Sequence, residues 1–210
     1  MNYLDLFSGI GGFALGIEQA GVKVDKHYFS EIDKYASQIY KKHFPNAIEL
    51  GDITKINPSQ LGEINLITFG FPCQDLSIAG RRKGLGGSRS GLFFEAIRII
   101  QECSPDIFIF ENVKGLLASN NGKDFEIVLR TIADIRLYEC EWQLLNTSWF
   151  LPQNRERIYF IGHLAGSGRS GQKVFPIGGS SQEVTGIFEE NEKHGTCGRD
   201  LLICSNKKVL

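Results

Sequence analysis

One cysteine, one glutamate and a pair of arginines carry the most pointed chemistry in this sequence. Cys73 stands in Gly70-Phe71-Pro72-Cys73-Gln74, directly after the apolar run 64–69. A thiolate is a strong nucleophile, but a free thiol with pKa near 8.5 is only a few per cent ionised at neutral pH, so nearby positive charge matters. Downstream, residues 76–90 hold Arg81, Arg82, Lys83 and Arg89 among Gly80, Gly84, Gly86 and Gly87, with no acidic residue. A glycine-hinged basic loop beside a cysteine suits closure over a phosphate backbone. The plain alternative is a solvated loop. Glu111 ends a second apolar run in Phe110-Glu111-Asn112-Val113. Burial there favours the neutral carboxyl, which can donate a hydrogen bond to a ring nitrogen. A structural or helix-capping glutamate is the competing explanation. In Pro152-Gln153-Asn154-Arg155-Glu156-Arg157, two arginines at i and i+2 face one side of an extended chain. They suit Glu111, a phosphate or a base oxygen as partners, with a surface salt-bridge network as the alternative.

A second set of residues points to a nucleoside. Asp5-Leu6-Phe7-Ser8-Gly9-Ile10-Gly11-Gly12 is a short strand running into a glycine turn and then a helix. Glycines there let the backbone turn sharply and approach a ligand. Glu31 follows a second strand nearly twenty residues later, the place from which a carboxylate holds ribose hydroxyls. Asp52, in Gly51-Asp52-Ile53, is placed to meet an adenine amino group. A lone glycine turn is weak evidence. Glu31 and Asp52 in sequence with it make a nucleoside cofactor the better reading.

These residues need a scaffold that brings strand ends together. Strand-like segments at 3–7, 22–29, 64–70, 107–110, 142–145 and 157–161 alternate with helix-like ones at 12–20, 33–43, 92–103 and 125–135. That alternation predicts an α/β fold, right-handed βαβ units and a doubly wound, mostly parallel sheet. Such sheets bind ligands beyond the carboxyl ends of their strands, where every candidate above falls. Residues 1–165 are expected to form a catalytic and cofactor-binding domain. Residues 166–210 are rich in Ser, Gly and Lys, with 201–203 the one segment able to form a strand, and are expected to be a short irregular tail.

Composition excludes several classes. The 210 residues carry 23 Lys+Arg against 24 Asp+Glu, a net charge of −1, with 42% hydrophobic residues. Disordered, collagenous and disulfide-stapled chains differ from this. Any nucleic-acid affinity must rest on a local basic patch. The five cysteines never pair as CxxC, so no metal is expected, and reduced thiols suit a cytoplasmic location. No apolar run reaches membrane-span length and no signal peptide is visible, so no membrane partner is expected.

Taken together, the pieces resemble the DNA (cytosine-5)-methyltransferases, especially bacterial modification enzymes. The set Pro-Cys-Gln, Glu-Asn-Val and Gln-x-Arg-x-Arg, in that order after the glycine turn, is specific, and the resemblance covers roughly residues 3–163. It implies the Rossmann-like fold of S-adenosylmethionine-dependent methyltransferases. It implies S-adenosyl-L-methionine as cofactor, with Phe7, Gly9 and Gly12 lining the pocket, Glu31 on the ribose, Asp52 and Ile53 on the adenine, and Pro72 and Leu92 completing the wall. Double-stranded DNA is the implied substrate, in a restriction-modification setting, with the target cytosine flipped out of the duplex. Cys73 would attack carbon 6, Glu111 would donate to ring nitrogen 3, and Arg155 and Arg157 would bind the base and steady both. Arg81, Arg82, Lys83 and Arg89 are the implied DNA-binding residues.

The sequence also departs from the family. Gly87 stands before Ser88-Arg89 where the family often has an acidic residue. The target-recognition domain and C-terminal motifs that follow in the family are not found in 164–210. The expectation is therefore a catalytic part, working with a second polypeptide that supplies the missing motifs; residues 166–210 would be a tail or a truncated start of the recognition region. A truncated inactive remnant, a tRNA cytosine-5 methyltransferase and, remotely, a nicotinamide-dependent oxidoreductase are the alternatives. The last leaves Cys73, Glu111 and the arginine pair without a shared purpose.

Overall fold

A computed structural model describes residues 1–72, 91–166, 173–177 and, as backbone, 185–188. Cys73, Arg81, Arg82, Lys83, Arg89 and the run 201–203 lie outside the described residues. The described part alternates as expected. In order come β1 (Asn2–Leu6), α1 (Gly12–Gln19), β2 (Lys26–Ser30), α2 (Lys34–His43), β3 (Ile48–Glu49), β4 (Leu66–Phe69), α3 (Leu92–Cys103), β5 (Ile107–Val113), α4 (Lys123–Ala133), β6 (Tyr138–Asn146), β7 (Glu156–Leu164) and β8 (Thr185–Phe188).

One sheet runs in the order β3-β2-β1-β4-β5-β7-β6-β8. The strands β1 to β5 pair in parallel, and β7 lies antiparallel to both β5 and β6. The chain winds outward from β1 to β3, then crosses back to β4 on the other side of β1. The gap between β1 and β4 is thus the switch point, where an open sheet leaves a crevice at its carboxyl edge.

Local sequence accounts for the elements. Asp33 caps α2, its Oδ1 accepting from the Tyr35 and Ala36 amides at 2.9 and 2.7 Å, and Lys41, Lys42 and His43 oppose the dipole at the other end. Phe93, Ala96, Ile97 and Ile100 of α3 repeat at helical spacing and are all buried. The α3 and α4 face meets Leu4, Leu6, Phe69, Phe108, Phe110 and Phe160 from the sheet. The Phe110 and Phe160 rings stack with centroids 4.3 Å apart. Gly162 makes room on β7: a Cβ there would stand 2.2 Å from the Phe108 ring. On the opposite face Tyr3, Phe29 and Leu66 pack with Ala14 of α1 and Tyr40 of α2.

Several boundaries differ from the sequence reading for reasons of pairing, β5 and β7 among them, which run to Val113 and over Glu156–Leu164 along their shared ladder. The segment 22–25 stays outside the ladder because β1 begins at Asn2, whose register partner is Lys26. In contrast, β6 extends well beyond 142–145 because β7 gives it nine consecutive partners. Beyond residue 166, the described strand is β8, antiparallel to β6. Its state is set by the sheet edge it joins and not by its own pattern. Residues 173–177 also engage β6, through side chains. Glu141 accepts from the Val174 and Phe175 amides at 2.7 and 3.1 Å, and Gln143 exchanges two hydrogen bonds with the Ile177 backbone. Among the described residues, no helix is long and apolar enough to cross a membrane.

Candidate active site

The carboxyl ends of β1, β2 and β3 bring one group of candidates together. After β1 the backbone turns through positive φ at Phe7 (51°), Gly9 (54°) and Gly11 (97°) before Gly12 opens α1. Gly11 is required twice over: its φ disfavours a side chain, and a Cβ would lie 2.7 Å from the Phe44 ring. At Gly9 and Gly12 the space in front of the backbone is open. The turn is tied down by the neighbouring strand end. The Ser8 amide donates to the Ser30 carbonyl at 3.1 Å, and the Gly9 amide donates to Glu31 Oε2 at 2.8 Å. Glu31 Oε1 accepts from the Ile32 and Asp33 amides, both at 2.8 Å. Three of the roughly four acceptor positions of that carboxylate are thus taken by backbone, which fixes its direction and leaves about one for a ligand.

The third strand end joins in the same way. Ser30 Oγ donates to the Gly51 carbonyl at 2.6 Å. Asp52 then caps a single turn, Oδ1 accepting from the Thr54 amide at 3.0 Å and the Thr54 hydroxyl at 2.8 Å. These bonds hold the Asp52 carboxyl below its usual range. Ile53 is buried in the core beside it.

A second group gathers at the ends of β4 and β5 and the start of β7, which reaches this edge because it runs antiparallel. Glu111 and Arg157 form an ion pair, Nε to Oε1 2.6 Å, with both side chains about four-fifths buried. Gly70 makes way for it: a Cβ there would sit 3.3 Å from Glu111 Oε2. Arg157 also donates to the Glu156 carbonyl at 2.8 Å, and the Glu156 carboxylate is paired with Lys114 at 2.8 Å. Arg155 is exposed and makes no ion pair among the described residues. Of the partners open to the arginine pair, Glu111 therefore belongs to Arg157. Pro72 is exposed just beyond Phe71, and Leu92 is the half-buried first residue of α3.

Three residues of this region were not singled out by sequence. Asn112 is buried and donates to the Phe71 carbonyl at 3.0 Å, tying β5 to the segment that leads from β4 to Pro72. Tyr159 is the register partner of Glu111. Burial raises its pKa, Glu111 adds to that, and Arg155 and Arg157 oppose it. Asp5 is fully buried, and burial lifts its pKa to about 7 against the hydrogen bonds from Thr68, Tyr40 and Tyr3. A charged residue in the middle of an apolar strand was the available signal for Asp5. For Tyr159 only the strand register reveals the contact. The two described cysteines behave as core residues. Burial pushes the Cys103 thiol up to about 11 and the Cys140 thiol higher still.

Comparison with known proteins follows the same lines. The model of the family "C-5 cytosine-specific DNA methylase" matches residues 1–205. The orphan methyltransferase M.Rho11sI of Bacillus phage rho11s is 41% identical over 165 residues, 77% of this chain and 33% of that protein. The Type II methyltransferase M.HhaI of Haemophilus parahaemolyticus is 39% identical over 162 residues, 77% of this chain and 48% of its own. The Type II methyltransferase M.BsuFI of Bacillus subtilis is 36% identical over 194 residues, 91% of this chain and 46% of its own. Among solved structures, a prophage-encoded DNA modification methyltransferase of E. coli superposes with a TM-score of 0.62 at 27% identity, covering 78% of this chain and 47% of its own. A DNMT2 variant of Spodoptera frugiperda shares the fold, with a TM-score of 0.65 at 22% identity over 80% of this chain and 51% of its own. The chain spans between a third and about half of the length of these curated relatives. With a mostly parallel sheet, a glycine turn and a Glu–Arg pair at one carboxyl edge, and a family match over nearly its whole length, the chain belongs to the C-5 cytosine-specific DNA methylases.

Proposed function

We propose that this chain carries the catalytic machinery for transferring a methyl group from S-adenosyl-L-methionine to carbon 5 of cytosine in double-stranded DNA, in a restriction-modification setting. The observation that carries the reading is the single edge shared by two sites: the Gly9–Glu31 turn and the Glu111–Arg157 pair, on either side of the β1–β4 switch point. The open space in front of Gly9 and Gly12, with the directed carboxylates of Glu31 and Asp52, fits an adenosine. Phe7, Gly9, Gly12, Glu31, Asp52, Ile53, Pro72 and Leu92 are assigned to hold the cofactor. When bound, it supplies an electrophilic methyl group on a sulfonium.

The chain's own residues prepare the acceptor. Cytosine carbon 5 is too weak a nucleophile to react directly. In this reading Cys73, as thiolate, forms a bond to carbon 6, and the electrons of the carbon 5–carbon 6 double bond become available at carbon 5. Glu111 takes up a proton from solvent as the base displaces part of its pairing with Arg157, donates to ring nitrogen 3 and stabilises the charge that develops there. Arg157 orients Glu111, and Arg155 remains free to meet the base or its phosphate. After methylation, solvent takes the carbon 5 proton, its bonding electrons re-form the carbon 5–carbon 6 double bond, and Cys73 leaves as thiolate. Arg81, Arg82, Lys83 and Arg89 are assigned to the DNA backbone.

Labelled methyl transfer to mixed-sequence DNA, with RNA as control and with and without a recognition-domain polypeptide added in trans, tests the reading. Cys73→Ser is expected to abolish incorporation while cofactor binding stays within twofold. Near-normal turnover by that variant overturns the covalent mechanism.

A further inference from the structure

The polar network behind the glycine turn is used by none of these steps, yet it joins β1, β2, β4 and α2, the elements around the glycine turn. Asp5 lies two residues before Phe7 and pairs in register with Thr68 of β4. Thr68 Oγ1 donates to Asp5 Oδ1 at 2.8 Å, and Tyr40 of α2 donates to Oδ2 at 3.1 Å. The Tyr3 hydroxyl is 2.6 Å from Thr68 Oγ1, and His27 Nε2 is 2.7 Å from the Tyr40 hydroxyl. Thr68 and Tyr40 direct their protons to the carboxylate, so Tyr3 and His27 must donate to them in turn. Two chains of hydrogen bonds, one from each side, thus end on a single buried carboxylate.

Each arm leads to a binding element. Thr68 stands two residues before Gly70, where the segment that carries Pro72 leaves β4. Tyr40 belongs to α2, whose cap residue Asp33 gives its amide to Glu31. The Tyr40 ring stacks on Phe29 at 4.2 Å and, with Phe44, backs onto Gly11. The ladder already fixes β1 against β4, but α2 shares no ladder with either. A buried carboxylate is a costly group for mere filling, and its two acceptors match the two elements that must be held together.

The geometry points to Asp5 as a positioning residue: through Thr68 and Tyr40 it fixes the glycine turn against the end of β4 and against Glu31, and so sets affinity for the adenosine cofactor without touching it. This rests on the cofactor site proposed above. Binding of S-adenosylhomocysteine to the full chain, measured by calorimetry beside melting temperature, tests it. Tyr40→Phe and Thr68→Val each delete one hydroxyl and keep the side-chain bulk. Each is expected to weaken binding five- to twentyfold. The double variant is expected to lose less than the product of the two, because both arms act through one group. Asp5→Asn, which keeps an oxygen for Thr68 and offers an amide to Tyr40, is expected to stay within threefold. Single variants within twofold of wild type, or losses that multiply, overturn the brace whatever happens to melting. If the wild-type chain itself fails to bind, the cofactor reading is what fails. Amide exchange at Gly9 and Gly11 then decides the brace: at least fivefold faster in both single variants upholds it, and unchanged rates overturn it.

Discussion

The two sides of the carboxyl edge are built on different principles. On the β1–β2–β3 side, backbone does the work. Amides of residues 9, 32 and 33 converge on Glu31, and Asp52 is spent on its own turn. On the β5–β7 side, side chains face one another across an antiparallel ladder, and the Glu111–Arg157 pair is held by two side chains, with Gly70 leaving room for it. The first arrangement suits a ligand bound in one pose by shape and dipoles. The second suits a group whose charge changes during reaction, because a paired glutamate can be re-partnered by a base. Damage to the two sides should therefore separate into loss of binding and loss of rate.

The largest expected effect tests the second side. Glu111→Gln should lower single-turnover methyl transfer by about three orders of magnitude, roughly 4 kcal/mol, with S-adenosylhomocysteine affinity held within twofold. Equal losses in both would erase the distinction. Next comes the pH response of the buried carboxyl behind the first side. Asp5 has its pKa raised from 3.8 to about 7, so its contribution to stability is full below about pH 4 and is lost as pH rises to about 7. His27 is lowered from 6.5 to about 4 by burial, and its slope over the same window has the opposite sign. The test is thus the difference between Asp5→Asn and wild type in urea unfolding. The variant should gain on the order of 3 kcal/mol relative to wild type between pH 4 and pH 7.5. A constant difference would show that Asp5 does not titrate there.

A backbone substitution probes the first side directly. Gly11→Ala should cost about 2 kcal/mol, through positive φ and the approach to Phe44, and should weaken cofactor binding without a separate effect on rate. Chemical denaturation and calorimetry read the two quantities. The smallest effect is expected far from either side. Glu141→Gln leaves one of two backbone amides without its acceptor and should cost about 1 kcal/mol, with methyl transfer unchanged.

Much of this is legible in the amino-acid sequence. Glu31 and Asp52 could be placed because a parallel sheet delivers its chemistry at strand ends, and short apolar runs mark those ends. The Gln153-Asn154-Arg155-Glu156-Arg157 segment identified the arginines, but not which of them meets Glu111. That depends on β7 running antiparallel to β5, a property of the assembled sheet and not of either segment. Asn112 and Tyr159 were illegible for the same reason, since their partners come from elsewhere in the sheet: Phe71 just past the end of β4, and Glu111 on β5. The role of Asp5 was hidden differently: the sequence shows a buried charge, and only packing shows that Thr68 and Tyr40 meet on it. Likewise β8 has no pattern strong enough to announce itself without an edge to join.

The Glu141 and Gln143 contacts with residues 173–177 have a consequence for how this chain can be taken apart. The two side chains stand up from the sheet and present carbonyl-like and amide-like groups to a passing backbone, so that the crossing segment is read as though a further strand lay beneath it. The joint is made by two residues on β6, remote in sequence from Glu31 and Glu111. For a protein engineer this is a natural seam: the fastening of 173–177 can be tuned residue by residue at two side chains that belong to neither group at the carboxyl edge.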